Sequence, residues 1–374
     1  MKWEGQRESD QIEDRRSGGG GGGLGGGGVR LPVGRGGVGL GTVAIALAAA
    51  GWSSLALAWA TLAAALVRGV IAQVQRPARP WPLRLDGVRE VLRFGTRSSA
   101  LYLTGALGTR SPDLIVGKLL TLSAVGLYSR ASSLADQFRV LVAGAIGGVF
   151  FPAFARLRDR GEPLGPAYLR VCAGYTGVLW PSMAALALAA EPIVRGLYGE
   201  QWLGTAVLLQ RIALLEVLVV TLPLHIDLPI LTGRIDRLMV LNLADTALSV
   251  SLLALGCWLG GVEGAATSRL AYGLFWIALY ARFMHEVVGF DVRALLAIHL
   301  RSAVATLAAL APMALAYRFW LGPAEMGLGA LALVSAAGVA AWLVTLWLVR
   351  HPLREEIRDI VGKVVPAAAR LLPA

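Results

Sequence analysis

Charged side chains set inside long apolar runs are the residues of this sequence best placed to do chemistry. Arg110, Asp113 and Lys118 share one run, and Arg130, Asp136 and Arg139 share the next. Arg211, Glu216, His225 and Asp227 lie in a later run, with Asp245 and Arg269 in the two that follow it. An ionisable group in a membrane helix costs roughly 2.5–3.5 kcal/mol on insertion scales and usually faces a polar interior. Such a set points to a hydrated cavity whose chemistry is binding and coupling. Arginine and lysine can hold an anion, arginine through a bidentate fork. Carboxylates can take up a coupling cation or proton, or serve as structural counter-charges, and histidine titrates near neutrality.

Spacing sorts these groups. Asp136 and Arg139 are three residues apart on one helix face, the arrangement of a local ion pair. Asp113 and Lys118 are five apart and are not ideal helix neighbours; Arg211 and Glu216 have the same spacing and can reach across helices. Arg130 has no acidic residue three or four positions away. It must therefore meet a partner helix, a water-filled cavity or an anionic ligand, or snorkel to the membrane surface. His225 reads either as a proton-coupling group or as a structural histidine with its bonds satisfied.

No enzyme motif accompanies these groups. The glycine strings of 18–28 precede no strand–turn–helix nucleotide-binding unit, so they are composition and not a phosphate cradle. There is no Walker lysine, no His-Glu-x-x-His and no Gly-x-Ser-x-Gly elbow. Cys172 and Cys257 both fall in apolar runs, with neither disulfide nor metal spacing, and read as small apolar fillers. The expectation is a protein without catalytic residues, metal or cofactor. Its net charge of +11 comes from arginines set between apolar runs and not gathered on one face, which argues against nucleic acid as a partner.

The elements that position the charged set are membrane helices. The chain has 374 residues, 56% hydrophobic and only 16% charged, where a soluble domain carries about a quarter charged residues. A helix needs about 20 apolar residues to cross the hydrocarbon core, and backbone groups in lipid must be satisfied within the segment. Apolar segments are expected near 38–50, 53–75, 98–121, 124–150, 167–190, 204–231, 238–260, 263–286, 297–319 and 327–349. The expected fold is therefore an all-α, polytopic membrane bundle of about ten transmembrane helices. Pro112, Pro181, Pro223, Pro229 and Pro312 lie within these segments and are expected to bend them.

Alternate connections are basic. Arg76 to Arg97, Arg156 to Arg160, Arg234 with Arg237, Arg282 with Arg293, and the tail from Arg350 to Arg370 carry the cations, while the intervening connections are short and hold almost none beyond Arg195. By the positive-inside rule the basic side and the C-terminus are cytoplasmic. Pro82–Phe94 and Pro352–Val365 mix apolar and basic positions, as an amphipathic surface helix or an ordinary basic loop would. Residues 1–37, polar and then glycine-rich, are expected to be disordered; they read either as a functional tail or as a mis-started or frame-shifted segment.

Several strings resemble a known family. Leu92-Arg93-Phe94-Gly95, Asp113 to Lys118, Val125-Gly-Leu-Tyr-Ser-Arg-Ala131 and Phe151-Pro-Ala-Phe-Ala-Arg-Leu157 resemble the Wzx-like polysaccharide transporters. These are lipid-linked oligosaccharide flippases of the multidrug/oligosaccharidyl-lipid/polysaccharide exporter superfamily. Glu191-Pro-Ile-Val194, Leu197 to Trp202 and Gly51 to Leu55 also look like that family, so the resemblance covers about 38–350. It implies part of a two-lobed fold of about fourteen helices. Residues 38–75 would be a two-helix remnant of the N-terminal lobe, 76–97 a basic cytoplasmic linker between lobes and 98–286 a six-helix C-terminal lobe. Residues 297–349 would be two additional helices and 350–374 a basic tail. On this alignment the segments here would be helices five to fourteen of the family, with the glycine-rich tract standing where its first four would be expected.

The resemblance further implies flipping of a polyprenyl-diphosphate-linked oligosaccharide across the bacterial inner membrane, for O-antigen, capsule or exopolysaccharide synthesis. The partners would be that substrate, membrane lipids, and a polymerase with its export machinery. Arg110, Lys118, Arg130 and Arg139 are then the candidate diphosphate or sugar contacts. Asp113, Asp136, Glu216 and Asp227 are candidate coupling or structural carboxylates, and His225 a candidate proton-coupling group. Three other readings stand beside this one: a cation-coupled drug antiporter of the same superfamily, an inactive truncated relic, and, with less support, a membrane polymerase or ligase.

Overall fold

The computed structural model describes residues 88–144 and 150–364, with scattered positions between 51 and 74. The expectations for 1–37, 38–50, 82–87 and the tail beyond 364 lie outside the described residues, as does most of 53–75. The chain divides into two compact units, Met1–Arg93 and Phe94–Ala374. Apart from the first turns of α1, the elements below belong to the second.

Eleven α-helices follow one another among the described residues from 88 onward, without a strand. They are α1 (Val88–Leu119), α2 (Leu122–Gly144), α3 (Phe150–Asp159), α4 (Gly165–Leu188), α5 (Ala190–Tyr198) and α6 (Gly204–Val219). Then come α7 (Asp227–Leu231), α8 (Ile235–Val288), α9 (Val292–Phe319), α10 (Leu328–Leu348) and α11 (Leu353–Val364). Among the described residues α4, α8, α9 and α10 are long and apolar enough to cross a membrane. Helices α1 and α2 are as long but carry the charged residues.

Helix α8 is two crossings. At 54 residues it would run about 80 Å if straight, against a hydrocarbon core of about 30 Å. Gly260 and Gly261 leave helical geometry, Gly261 at φ 58°, a conformation that favours glycine. The arms fold back so tightly that a Cβ on Gly256 would stand 2.4 Å from the Gly264 carbonyl oxygen. Glycine at both positions is what lets the two backbones touch. The apolar run 204–231 departs from a single helix in the other direction. It stops at Val219, turns, and resumes as the short α7, because Pro223 has no N–H to continue the ladder and Leu224 adopts φ 59°.

Apolar side chains fill the interior and also cover much of the outer surface. Phe154, Tyr168, Trp276, Tyr280 and Phe283 form one buried cluster, and Val116, Tyr128, Met183, Leu208 and Cys257 a second. Leu296, Leu300, Leu307, Leu333 and Val344 on α9 and α10 stay exposed, as lipid-facing side chains do. Both cysteines are free and buried. One end of the unit carries the turns 120–122, 199–204 and 260–261, and the other carries 160–164, 232–234, 289–291 and 349–352.

Helices α9 to α11 are seated on α4 by a buried polar chain. Leu353 N–H donates to His351 Nδ1 (3.2 Å), and His351 Nε2 lies 2.9 Å from Ser302 Oγ on α9. Ser302 Oγ lies 2.9 Å from Thr176 Oγ1 on α4, which donates to the Cys172 carbonyl at 2.7 Å. Trp342 of α10 donates its indole N–H to the Gly177 carbonyl at 2.9 Å. The expected surface piece at 352–365 is thus a helix, α11, whose first residue Leu353 is buried against this seat.

Candidate functional site

Two charged seams link neighbouring helices, the first reaching from an exposed carboxylate inward. In the first, the three-residue spacing on α2 puts Asp136 and Arg139 side by side, and they form the local ion pair. Arg139 Nε also reaches Glu216 Oε2 on α6 at 3.1 Å. Glu216 is only 20% exposed and Arg139 35%, so each charge needs the other: an unpaired charge in such a place is costly. Three of the residues singled out from sequence are thereby brought together.

The second seam joins the two arms of α8. Tyr272 O–H donates to Asp245 Oδ1 at 2.9 Å, and Arg269 Nη1 donates to Ser249 Oγ at 2.6 Å. The Arg269 guanidinium lies 4.4 Å from the centre of the Tyr272 ring. Gly273 lets α6 pack onto this arm, since a Cβ there would lie 2.7 Å from Leu218. The later arm of α8, which carries Arg269 and Tyr272, therefore packs on α6, the helix that carries Glu216. Asp113 is half-buried on α1.

Sequence reasoning did not place this second seam in the site, although Asp245 and Arg269 were visible as intramembrane charges. The turn itself was legible, since the apolar runs 238–260 and 263–286 part at Gly260–Gly261; the register of the two arms across it was not. Folding the chain there sets Asp245 beside Tyr272 and Ser249 beside Arg269.

The remaining candidates lie apart. Lys118 is exposed in the last turn of α1 and has no carboxylate partner among the described residues. Arg110 lies on α1, but its side chain is outside those described. Arg211 does not meet Glu216; it bonds the Glu263 carboxylate (3.0 Å) and carbonyl (2.9 Å) next to the α8 turn. Arg130 extends from α2 to two rings, with its guanidinium carbon 5.1 Å from the Tyr198 centroid and 5.2 Å from that of Trp202. Towards the opposite end, His225 stands edge-on to Trp276 (4.8 Å) and Tyr280 (5.2 Å), and Asp227 opens α7.

Residues 36–207 match the family model described as polysaccharide biosynthesis protein. The resemblance to the Wzx-like transporters holds over this stretch. The chain is 30% identical over 162 residues to the succinoglycan biosynthesis transport protein ExoT of Rhizobium meliloti (strain 1021), covering 43% of this chain and 33% of ExoT. It is 25% identical over 187 residues to the lipopolysaccharide biosynthesis protein WzxC of Escherichia coli (strain K12), covering 50% and 38%. It is 22% identical over 152 residues to the teichuronic acid biosynthesis protein TuaB of Bacillus subtilis (strain 168), covering 41% and 32%. The chain spans about a third of the length of these curated relatives. No solved structure matches it. The matched stretch contains Asp113, Lys118, Arg130, Asp136 and Arg139, with Tyr198 and Trp202, and ends before Glu216 and the second seam.

Proposed function

We propose that the chain takes part in moving a polyprenyl-diphosphate-linked oligosaccharide across the bacterial cytoplasmic membrane, from the cytoplasmic to the outer face, during polysaccharide biosynthesis. The observation that carries this reading is the division of labour among the intramembrane charges. Arg139, Arg211 and Arg269 are held by carboxylate or hydroxyl partners on neighbouring helices, while Lys118 and Arg130 have no ion-pair partner among the described residues. A diphosphate and its sugars cannot cross hydrocarbon without a hydrated, cationic surface, and unpaired cations are the groups free to supply one.

On this reading Lys118 and Arg130, with Arg110, contact the diphosphate, and Arg139 shapes the cavity through Asp136 and Glu216. Asp113 is a coupling carboxylate, and Asp227 and His225 are coupling groups near the opposite end. Cation antiport is less well supported, because Asp136, Glu216 and Asp245 are already bonded to arginine or tyrosine and leave no open carboxylate cluster among the described residues. The positive-inside distribution supports a cytoplasmic position for the end with 289–291 and 349–352 and for the C-terminus. A polymerase acting on the outer face is the natural consumer of the product.

The test is transfer of a fluorescent polyprenyl-diphosphate oligosaccharide in proteoliposomes holding the full chain, read as the fraction made accessible to an impermeant quencher. Protein-dependent transfer, lost in a Lys118→Gln/Arg130→Gln double variant, is expected. Transfer no faster than in empty liposomes, with the protein shown to be inserted, would refute the reading.

A further inference from the structure

The surroundings of Arg130 carry a more specific assignment. Segment 191–202 is built to present two rings to it. Arg195 bonds Glu191 through Nη2 (3.0 Å) and Glu200 through Nη1 (2.6 Å), tying the end of α5 to the turn that follows. Gly199, at φ 86°, redirects the chain so that Trp202 returns beside Tyr198, ring centroids 6.4 Å apart and tilted by 56°. Leu127, one turn before Arg130 on the same face of α2, fits against Gly204, where a Cβ would lie 3.3 Å away. That contact fixes the start of α6, and with it Trp202, alongside α2.

The same arrangement uses up the local acids. Glu191 and Glu200 both go to Arg195, so Arg130 makes no hydrogen bond or ion pair with any described residue. A guanidinium held over aromatic faces is positioned through its π surface and keeps its in-plane N–H donors. Those donors form the fork that matches two oxygens of a phosphate. The two rings thus restrict the side chain in advance of binding, which lowers the ordering cost of taking up a ligand.

We propose that Arg130, clamped by Tyr198 and Trp202, is a phosphate-contacting residue of a release-side subsite, which receives the phosphoester of a lipid-borne ligand at the end of the unit carrying 120–122 and 199–204. The assignment rests on the flipping reading for the identity of the ligand. The chemistry of the site fits a lipid phosphoester, and two sources can supply one: the diphosphate of a polyprenyl carrier and the headgroup of a bulk anionic phospholipid.

Binding of radiolabelled geranylgeranyl diphosphate to the purified full chain in neutral-lipid nanodiscs separates these cases, with geranylgeraniol and phosphatidylglycerol as competitors. The wild type should bind the diphosphate, and neither competitor should displace it at equal concentration. Arg130→Gln should weaken binding by at least roughly tenfold, the scale of one charge-assisted hydrogen bond. Arg130→Lys, which keeps the charge and the ring contact but not the fork, should lose nearly as much, and Tyr198→Leu/Trp202→Leu should fall between. Equal affinity in wild type and Arg130→Gln would overturn the subsite, and equal affinity in Arg130→Lys would overturn the fork. Displacement by phosphatidylglycerol would overturn the carrier as the ligand. Absence of diphosphate binding in the wild type, together with failed transfer in proteoliposomes, would overturn the flipping reading itself; normal transfer by Arg130→Gln would remove only the subsite.

Discussion

Acid should loosen the seat of α9 to α11 through one side chain, His351. Its ring is fully buried, and its two nitrogens have different partners. Leu353 N–H points at Nδ1, so Nδ1 is an acceptor and the proton of the neutral ring sits on Nε2. Nε2–H then donates to Ser302, Ser302 O–H to Thr176, and Thr176 O–H to the Cys172 carbonyl. Each donor has its acceptor, and the bonds run in one direction. A second ring proton would have to go on Nδ1, against the Leu353 N–H. Burial, with the Arg301 charge adding to it, accordingly pushes the His351 imidazole down to about 4.

The sign follows from which state takes up the proton. Above the ordinary imidazole pKa of about 6.5, neither the folded nor the unfolded chain binds it, and pH has no effect through this group. As pH falls from about 6.5 to about 4, the unfolded chain binds a proton that the folded one refuses, so stability drops. At about 1.36 kcal/mol per pH unit the loss is about 3 kcal/mol over that window, levelling off below it. Other groups titrate in the same range, so the informative quantity is the difference from His351→Phe, which keeps a ring and cannot titrate. At pH 7.5 the variant should be less stable by about 1–3 kcal/mol, because Leu353 N–H loses its acceptor. By pH 4.5 the gap should have closed or reversed. In detergent, followed by tryptophan fluorescence, this corresponds to a relative movement of melting temperature of about 5 °C, taking roughly 2 °C per kcal/mol. Parallel curves for the two proteins across the whole range would refute the reasoning.

Four further outcomes are expected. Arg139→Gln strands the half-buried Glu216 and should cost about 1–3 kcal/mol, most of it recovered in Arg139→Gln/Glu216→Gln, as read by thermal unfolding. Gly256→Ala drives a Cβ against the Gly264 backbone, which cannot yield as a side chain can; it should cost at least about 1–3 kcal/mol or abolish folded yield on size-exclusion chromatography. Gly327→Ala, with nothing within 4 Å, should behave as wild type. Tyr272→Phe removes the donor to Asp245 while keeping the ring under Arg269, and should lower stability by about 1–3 kcal/mol in the same thermal assay.

What the sequence made legible was what one helix decides by itself. Apolar run lengths located α4, α10 and the two arms of α8 to within about three residues at both ends, because crossing a fixed hydrocarbon thickness sets a minimum length; α1 and α9 begin ten and five residues before their runs, and α2 ends six residues before the end of its run. The Asp136–Arg139 pair was legible because three residues return to the same face. The seat under α11 was not: His351, Ser302 and Thr176 are ordinary residues, far apart in sequence, that acquire meaning only when three helices meet. Neither was the end of α6 at Val219, since the prolines at 223 and 229 signalled a bend without saying that the helix would stop and restart.

The five-residue pairs show why the rest of the site was hidden. At about 100° per residue, positions five apart point about 140° away from each other around a helix. Arg211 and Glu216 therefore face different neighbours, and each is matched by a charge from elsewhere: Glu263 beside the α8 turn, and Arg139 on α2. The same geometry separates Asp113, which is half-buried, from Lys118, which is exposed. Arg130 follows the rule by a longer route, since its partners lie about 70 positions away and are rings and not acids. Spacing along a single helix can thus identify charges that neutralise each other locally, but a charge left over becomes either scaffold or binding surface. The fold decides between them by whether a second helix supplies the opposite charge. It does so for Arg139 and Arg211, and for Arg130 it supplies two aromatic faces that hold the cation in place without neutralising it.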